Sequence, residues 1–315
     1  MAPEEGLLVC GNLNLDRIYS VPYLPGESQS TPITSMRVHY GGCAGNIALA
    51  AARLGARVFL SSVVGSDFDP GYKNRLGSEG VDLTFLRNAQ GIPSPFCIVL
   101  SAPDGAQSYL FMEGAMAVQK DMPVPVGKDG PLKYTHITTS HPDFAARTAR
   151  ELSGAGSSVT LDPGQEIFFK WKKASLAKVL PHCDRFFGNL NEWKALGNFM
   201  GWSEDFGKLE GLSIPLNAEA FDSISEAVVT LREKGAVLIR KGGMMHSPAM
   251  DAGELVDATG AGDAFRGGFY AALLKGYSSE RALDFGNAMG AIAITGEGPQ
   301  EYKADWERVL SMVSK

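Results

Sequence analysis

From about residue 133 the chain regularly alternates a short apolar run of strand length with a stretch of helical spacing. "YTHITTS" is strand-like and "DFAARTARELSGAG" helical, then "SSVTLDPG" strand-like and "FKWKKASLAKVLPH" helical. "CDRFFGNLNE" reads as a strand with its loop, "EAFDSISEAVVTLREKG" as a helix and "AVLIRKGG" as a strand. Strands separated by helices pair in parallel, because a crossover brings each strand back in the same direction. The alternation therefore predicts an α/β fold: a doubly wound, mostly parallel sheet flanked by helices. The N-terminal part follows the same rule. "GLLVCGNLNLD" is a buried strand and turn, and "RVFLSSVVG" is another strand. Between them "NIALAAARLG" is a helix, with Ile47, Ala50, Ala51 and Leu54 on one face and Gly55 as its stop.

Two segments break the rhythm. Near 17–40 and 93–112 strand-like runs follow one another without a helix between them, and Asp104-Gly105 is a hairpin signal. These runs predict a small antiparallel sheet inserted in the α/β domain, a β lid. At 315 residues the chain is long enough for one large domain or two modest ones, and it carries no internal repeat or low-complexity tract. The expectation is a single domain over 1–315, with the lid inserted at about 17–40 and 93–112.

A net charge of −6 and a pI near 5.5 argue against a nucleic-acid partner. An anionic substrate must then meet local cations or helix N-termini. The four cysteines (Cys10, Cys43, Cys97 and Cys183) form no CxxC pair, and the five histidines no HExxH spacing. They read as reduced thiols in a cytoplasmic protein. No signal peptide is apparent, and no apolar run approaches the ~18–20 residues that span a bilayer.

The chemistry concentrates in "VDATGAGDAFRGGF", residues 256–269. Phe265, Phe269, Ala272 and Leu273 recur at helical spacing after Asp263, so Gly260, Ala261 and Gly262 lie at a helix N-terminus. Free N–H groups and the helix dipole there favour an anion, and small residues let a phosphate approach. Asp263 at the same place can accept a proton from a hydroxyl. This pattern suits phosphoryl transfer, where catalysis is positioning and charge stabilisation. A plain turn with an aspartate near a helix start has the same local pattern. No GxxxxGK[ST] and no GxGxxG fingerprint occurs.

"DATGAGDAFRGGF" closely resembles the C-terminal signature of ribokinase-like kinases of sugars and nucleosides. "GNLNLD", "YGGCAGNIALAAARLGA", "VVGSDFDPG" and "NLNE" resemble the other motifs of that family, in order. The resemblance spans nearly the whole chain and implies ATP and Mg²⁺ as cofactors. It makes Asp263 the base for the acceptor hydroxyl, and the N–H groups of Gly260, Ala261 and Gly262 the anion hole. Asp16 and Asn46 would hold sugar hydroxyls, with Gly41 and Gly42 allowing close approach. Asn189 and Glu192 would organise Mg²⁺ and its waters, with no direct metal-ligand set assigned. Asn287 aligns with the helix bordering the adenine of ATP. One departure stands out: where the family has "VTxGxxG" facing the nucleotide, the sequence is read here as "IRKGGMM". Arg240 and Lys241 then either neutralise phosphates or cap a strand in solvent.

Within the family, "GGCAGN", "FMEGAM", "GPQEY" and the arginine of "GDAFRGGF" are similar to segments of bacterial-type adenosine kinases. The resemblance thus implies a nucleoside kinase, adenosine kinase-like, acting on the ribose 5′-hydroxyl. A sugar kinase acting on ribose, fructose or a keto-deoxy sugar acid is the alternative, and a non-catalytic nucleoside sensor a third reading. Phe96, Phe111, Met112 and Met116 offer an apolar lid lining that could enclose a purine, or form plain lid core. The lid strands also offer edges through which two subunits could pair, so the sequence is compatible with a homodimer. Nucleic acid and membrane are not expected partners.

Overall fold

A computed structural model describes residues 3–104, 106–128, 130–202, 205–209 and 211–314. Its centre is a ten-stranded sheet. Six parallel strands form its middle, in the spatial order Glu226–Thr230, Arg185–Asn189, Ser158–Leu161, Leu132–Ile137, Glu4–Cys10 and Val58–Gly65. Val81–Asp82 and Leu86–Ala89 both pair in parallel with Val58–Gly65. Helices Cys43–Arg53, Ala261–Leu274, Ser279–Ala293 and Trp306–Val313 pack on one face. Pro142–Gly154, Lys173–Val179 and Leu190–Met200 pack on the other. This is the doubly wound arrangement that the alternation predicts. Strands buried on both faces read as continuous apolar runs such as "LLVC", which is why they are visible in the sequence.

One element differs from its expected type. The stretch 219–235, expected as a helix, is a short 3₁₀ turn (Ala218–Asp222), a strand (Glu226–Thr230) and a second 3₁₀ turn (Arg232–Lys234). Val228, Val229 and Thr230 are consecutive β-branched residues whose stiff side chains favour a buried sheet over a helix. With no crossover helix, Ala236–Arg240 and Gly243–Ser247 pair antiparallel and close the edge of the sheet.

The lid is a separate four-stranded sheet in the order Ser35–Gly41, Asn14–Ser20, Phe96–Ser101, Gln107–Met112. Its outer pairings are antiparallel, but Asn14–Ser20 and Phe96–Ser101 run parallel. The lid is therefore mixed, not purely antiparallel: two hairpins leave the body in the same direction and join side by side. Gly105, at the tip of the second hairpin, lies outside the described residues.

Candidate active site

The parallel strands end at Cys10, Ile137, Leu161, Asn189 and Thr230, which define the carboxyl edge of the sheet. In an open parallel sheet ligands bind there, where loops and helix N-termini converge.

Gly260 caps helix Ala261–Leu274 with a φ of +77°, a left-handed conformation that only glycine adopts readily. A Cβ at that position would also lie 2.6 Å from the Cβ of Pro299. The amides of the first turn point out of the helix, although the N–H of Ala261 also donates to the carbonyl of Ala258 at 3.3 Å. Asp263 is the third residue of this helix. The helix lies close against Cys43–Arg53 because Gly267 faces Ala50, where a Cβ would sit 2.4 Å from the alanine Cβ.

That close approach brings Asn46 to Asp263. The amide Nδ2 of Asn46 donates to the carboxylate Oδ2 at 2.8 Å. Gln300 Nε2 donates to Asn46 Oδ1 at 2.8 Å and to the Tyr72 hydroxyl at 2.8 Å, and Tyr72 in turn donates to the carbonyl of Gly41 at 2.8 Å. Burial pushes the Asp263 carboxyl up to about 6, against the opposing pull of Arg266.

Asp16 approaches from the lid. Asn14 Nδ2 donates to its Oδ1 at 2.5 Å, and Asn12 Nδ2 donates to Asn14 Oδ1 at 3.1 Å. Burial raises Asp16 to about 7, the Asn14 bond opposes the rise and the charge of Asp263 adds to it. Gly41 leaves room for this carboxylate, since a Cβ there would lie 2.1 Å from Asp16 Oδ2. Gly42 precedes helix Cys43–Arg53 with a φ of +93°, and a Cβ on it would meet the carbonyl of Asn12 at 2.6 Å. Two carboxylates with raised proton affinity thus lie beside a glycine-lined helix N-terminus, a pattern that marks functional sites.

The strand register decides which lid residues share this face. Asp16 pairs with His39 and Cys97, and Cys97 with Phe111, so these four lie in one cross-strand row. Phe96 and Met112 pair with each other and with Leu15, one residue out of step, and therefore lie on the opposite face. Met116 is no lid residue: it is buried beside Cys10, Val63 and Ile137. Of the four apolar residues named above, only Phe111 shares the face of Asp16.

Asn189 and Glu192 form a capping box at the start of Leu190–Met200. Asn189 Oδ1 accepts the amides of Asn191 and Glu192 at 2.9 and 3.0 Å, while Glu192 Oε2 accepts the amide of Asn189 at 2.7 Å. Burial raises the Glu192 carboxyl, and Asp162 adds to the rise. Asn287 is buried in helix Ser279–Ala293, where its Nδ2 donates to Ser247 Oγ, Ser247 O and Pro248 O at 2.8–3.0 Å. It ties that helix to the edge strand.

Arg240 and Lys241 lie at the other edge of the sheet. Arg240 pairs with Glu226 and Glu280, and Lys241 with Asp222. The chain segment that reaches the carboxyl edge is "VTLREKG", 229–235, with Arg232 where the family pattern has its first glycine. Arg232 holds a φ of +57°, the conformation a glycine would supply. Because 219–235 contains the strand Glu226–Thr230 rather than a helix, this segment lies one strand earlier than "IRKGGMM".

Three contributors carry little local signal. Gln300 reaches Asn46 across 254 residues, Asp162 reaches Arg266 across 104, and Tyr72 lies inside an ordinary polar helix, Pro70–Ser78.

The chain matches the pfkB family carbohydrate kinase over residues 5–306. It is 28% identical to the nucleoside kinase of Methanocaldococcus jannaschii, over 99% of this chain and 97% of that protein. The crystal structure of that archaeal ribokinase-family member superposes with a TM-score of 0.89, covering 100% and 99% of the two chains. Burkholderia thailandensis nucleoside kinase in complex with inosine superposes with a TM-score of 0.86 at 26% identity, covering 98% and 96%. The ATP-dependent ribose-1-phosphate kinase of Halopiger xanaduensis is 31% identical over 93% of each chain. With the family matched along almost its whole length, and an aspartate set at a glycine-lined helix terminus, the chain belongs to the pfkB family of carbohydrate kinases, with the ribokinase-like fold, and is an ATP-dependent phosphotransferase.

Proposed function

We propose that the protein is a nucleoside kinase, adenosine kinase-like, that transfers the γ-phosphoryl group of ATP to a ribose 5′-hydroxyl. The observation that carries this reading is the contact of Asn46 with Asp263, which couples a hydroxyl-binding amide to a base beside the anion-binding turn. Asp16 and Asn46 bind the ribose hydroxyls, with Gly41 and Gly42 giving the sugar access to the backbone. Asp263 takes the proton of the 5′-hydroxyl as it attacks in line. The N–H groups of Gly260, Ala261 and Gly262 receive the migrating phosphoryl group, whose charge grows where the helix dipole is most favourable.

Mg²⁺ bound with ATP would neutralise phosphate charge. Glu192 fits a role in holding its waters: one carboxylate oxygen is fixed by the capping box, and the other has no protein hydrogen bond among the described residues. Asn189 sets the loop, and Asn287 shapes the wall beside the adenine. Arg232, just past the carboxyl end of strand Glu226–Thr230, rather than Arg240, is the cation this reading sets beside the donor phosphates. The chain acts as one domain over 1–315 in the cytoplasm; among the described residues no helix is long and apolar enough to cross a membrane. Its lid is the segments at about 17–40 and 93–112. Exposed Met36, Val38, Leu110 and Met112 on the lid face opposite Asp16 support a homodimer through the lid.

Nucleoside is preferred to sugar because the archaeal nucleoside kinase and the inosine-bound bacterial one align end to end with this chain. The second reading, a sugar kinase, rests on the similarity to a ribose-1-phosphate kinase and to a Haemophilus influenzae ribokinase, 29% identical over 94% of each chain. Product analysis with ATP and Mg²⁺ over adenosine, inosine, guanosine, cytidine, ribose, fructose and 2-keto-3-deoxygluconate separates them. Nucleoside monophosphates are expected. Sugar phosphates alone would replace this reading with the second, and bound nucleoside without turnover would leave a sensor.

A further inference from the structure

Arg266 follows Asp263 by three residues on the same helix face, yet it is not solvated: it is 7% exposed. Its guanidinium makes bonds in two directions. Nε and Nη2 clasp the carboxylate of Asp162, the latter at 3.0 Å, and Nη1 donates to the carbonyl of Gly262 at 2.9 Å. Asp162, at the end of strand Ser158–Leu161, is held from behind by His136 Nε2 at 3.1 Å. His136 Nδ1 lies 3.0 Å from the Tyr270 hydroxyl, which donates to Thr160 Oγ1 at 2.7 Å. A buried polar chain therefore runs from the central strands to the turn carrying Gly260–Gly262.

We propose that Arg266 is a positioning residue for phosphoryl transfer: clasped by Asp162 and bonded to the Gly262 carbonyl, it fixes the anion-binding turn and places a permanent positive charge beside Asp263. This rests on Asp263 being the base. A buried carboxylate would take up a proton and lose its basicity, and a fixed cation three residues away opposes that. Asp162 is kept ionised despite its burial, by Arg266 and by His136, so the clasp stays closed. A lysine could supply the charge but not the planar three-bond fork. The other titratable groups felt at Asp263 are Asp162 beside Arg266, which raises its proton affinity, Asp16 from the lid, Cys43 from helix Cys43–Arg53, Glu192 from Leu190–Met200, and Tyr72 and Tyr302. Their charges are negative or absent in the working range, which leaves Arg266 as the cation that holds Asp263 ionised.

The test is the acid limb of kcat against pH, at saturating nucleoside and ATP, in the wild type, R266Q, R266K and D162N, each checked for folding by circular dichroism. R266Q should lower kcat at pH 7 by about 10- to 100-fold and move the limb up by about one pH unit or more. D162N removes a negative charge near Asp263 and should move the limb down. R266K should restore the limb towards wild type without restoring kcat, since charge returns and the fork does not. Limbs that stay in place in R266Q and D162N would make Arg266 a purely structural residue and overturn the proposal. If R266Q does not fold, R266K carries the test: a limb near wild type with a lowered kcat supports the role, and a wild-type kcat overturns it. D263N separates the two levels. Near-normal turnover by D263N would overturn the base assignment itself, whereas an inactive D263N with unmoved limbs overturns only the role of Arg266.

Discussion

The amide of Asn46 donates to the carboxylate of Asp263 at 2.8 Å, joining two helices through residues that are 217 positions apart in sequence. The contact exists because Gly267 lets helix Ala261–Leu274 settle against Ala50. It stabilises the ionised form of Asp263, the form that a general base requires. Replacing Asp263 by Asn should lose about 10²–10⁴ in kcat, the scale of a general base, while nucleoside binding persists. Steady-state rates together with calorimetric titration of adenosine check both halves.

The two raised carboxylates set the pH dependence. Asp263 at about 6 and Asp16 at about 7 must both be ionised to accept a proton and to hold hydroxyls. Activity should therefore fall as pH drops through 7 towards 6, with kcat/KM, which includes Asp16 in the free enzyme, declining first. A profile flat from pH 8 to 5 would contradict the burial of both groups.

The same shifts carry a stability cost of opposite sense. Each carboxyl binds its proton more tightly folded than unfolded, where the ordinary value is 3.8. Protonation therefore favours the folded state, a gain complete below about 4 and lost as pH rises through 6–7. At pH 8 both charges destabilise the fold. D16N should raise the Tm by a few degrees at pH 8, and the difference should shrink towards pH 5. Thermal unfolding at the two pH values measures it.

Much of this site is written locally. The left-handed Gly260, the start of the helix after it and the position of Asp263 all follow from "GAGDAF", because a helix terminus is a short-range feature. The strand–helix rhythm exposed the sheet for the same reason. What the sequence hid depends on distant pairing. Arg266 looks like a solvated helix residue until Asp162, 104 residues away, is seen to clasp it. The stretch 219–235 carries apolar residues compatible with either period, and the β-branched run Val228–Thr230 together with its place between Arg185–Asn189 and Ala236–Arg240 makes Glu226–Thr230 a strand. Expecting a helix there sets the "VTxGxxG" comparison one strand on, at Arg240 and Lys241, whose ion pairs with Glu226, Glu280 and Asp222 favour the strand-capping alternative.

Gly41 tests the lid side of the site. An alanine there would place its Cβ 2.1 Å from Asp16 Oδ2, and the carboxylate, being the movable partner, must swing away. Gly41 lies at the end of a strand in the lid, so the main body should be little affected. G41A should raise the nucleoside KM about tenfold or more, with kcat and ATP KM changing less. An unchanged KM would mean that Asp16 does not hold the sugar.

Gln300 tests whether the C-terminal loop orients the catalytic helix pair. Its side-chain nitrogen donates to Asn46 Oδ1, which fixes the amide so that Nδ2 and not Oδ1 faces Asp263. With Gln300 truncated to alanine, the Asn46 amide can rotate and present an oxygen to the carboxylate, repelling it. The loss of one oriented hydrogen bond, about 1 kcal/mol, corresponds to roughly a fivefold fall in kcat/KM. Turning the amide over would add to that, so a fall of about tenfold is expected for Q300A. Because Gln300 is buried and also donates to the Tyr72 hydroxyl, its truncation should lower the Tm by a few degrees as well. N46D/Q300A should then show no further loss beyond N46D, since the orientation that Gln300 enforces no longer exists. A multiplicative loss in the double variant would place the action of Gln300 elsewhere.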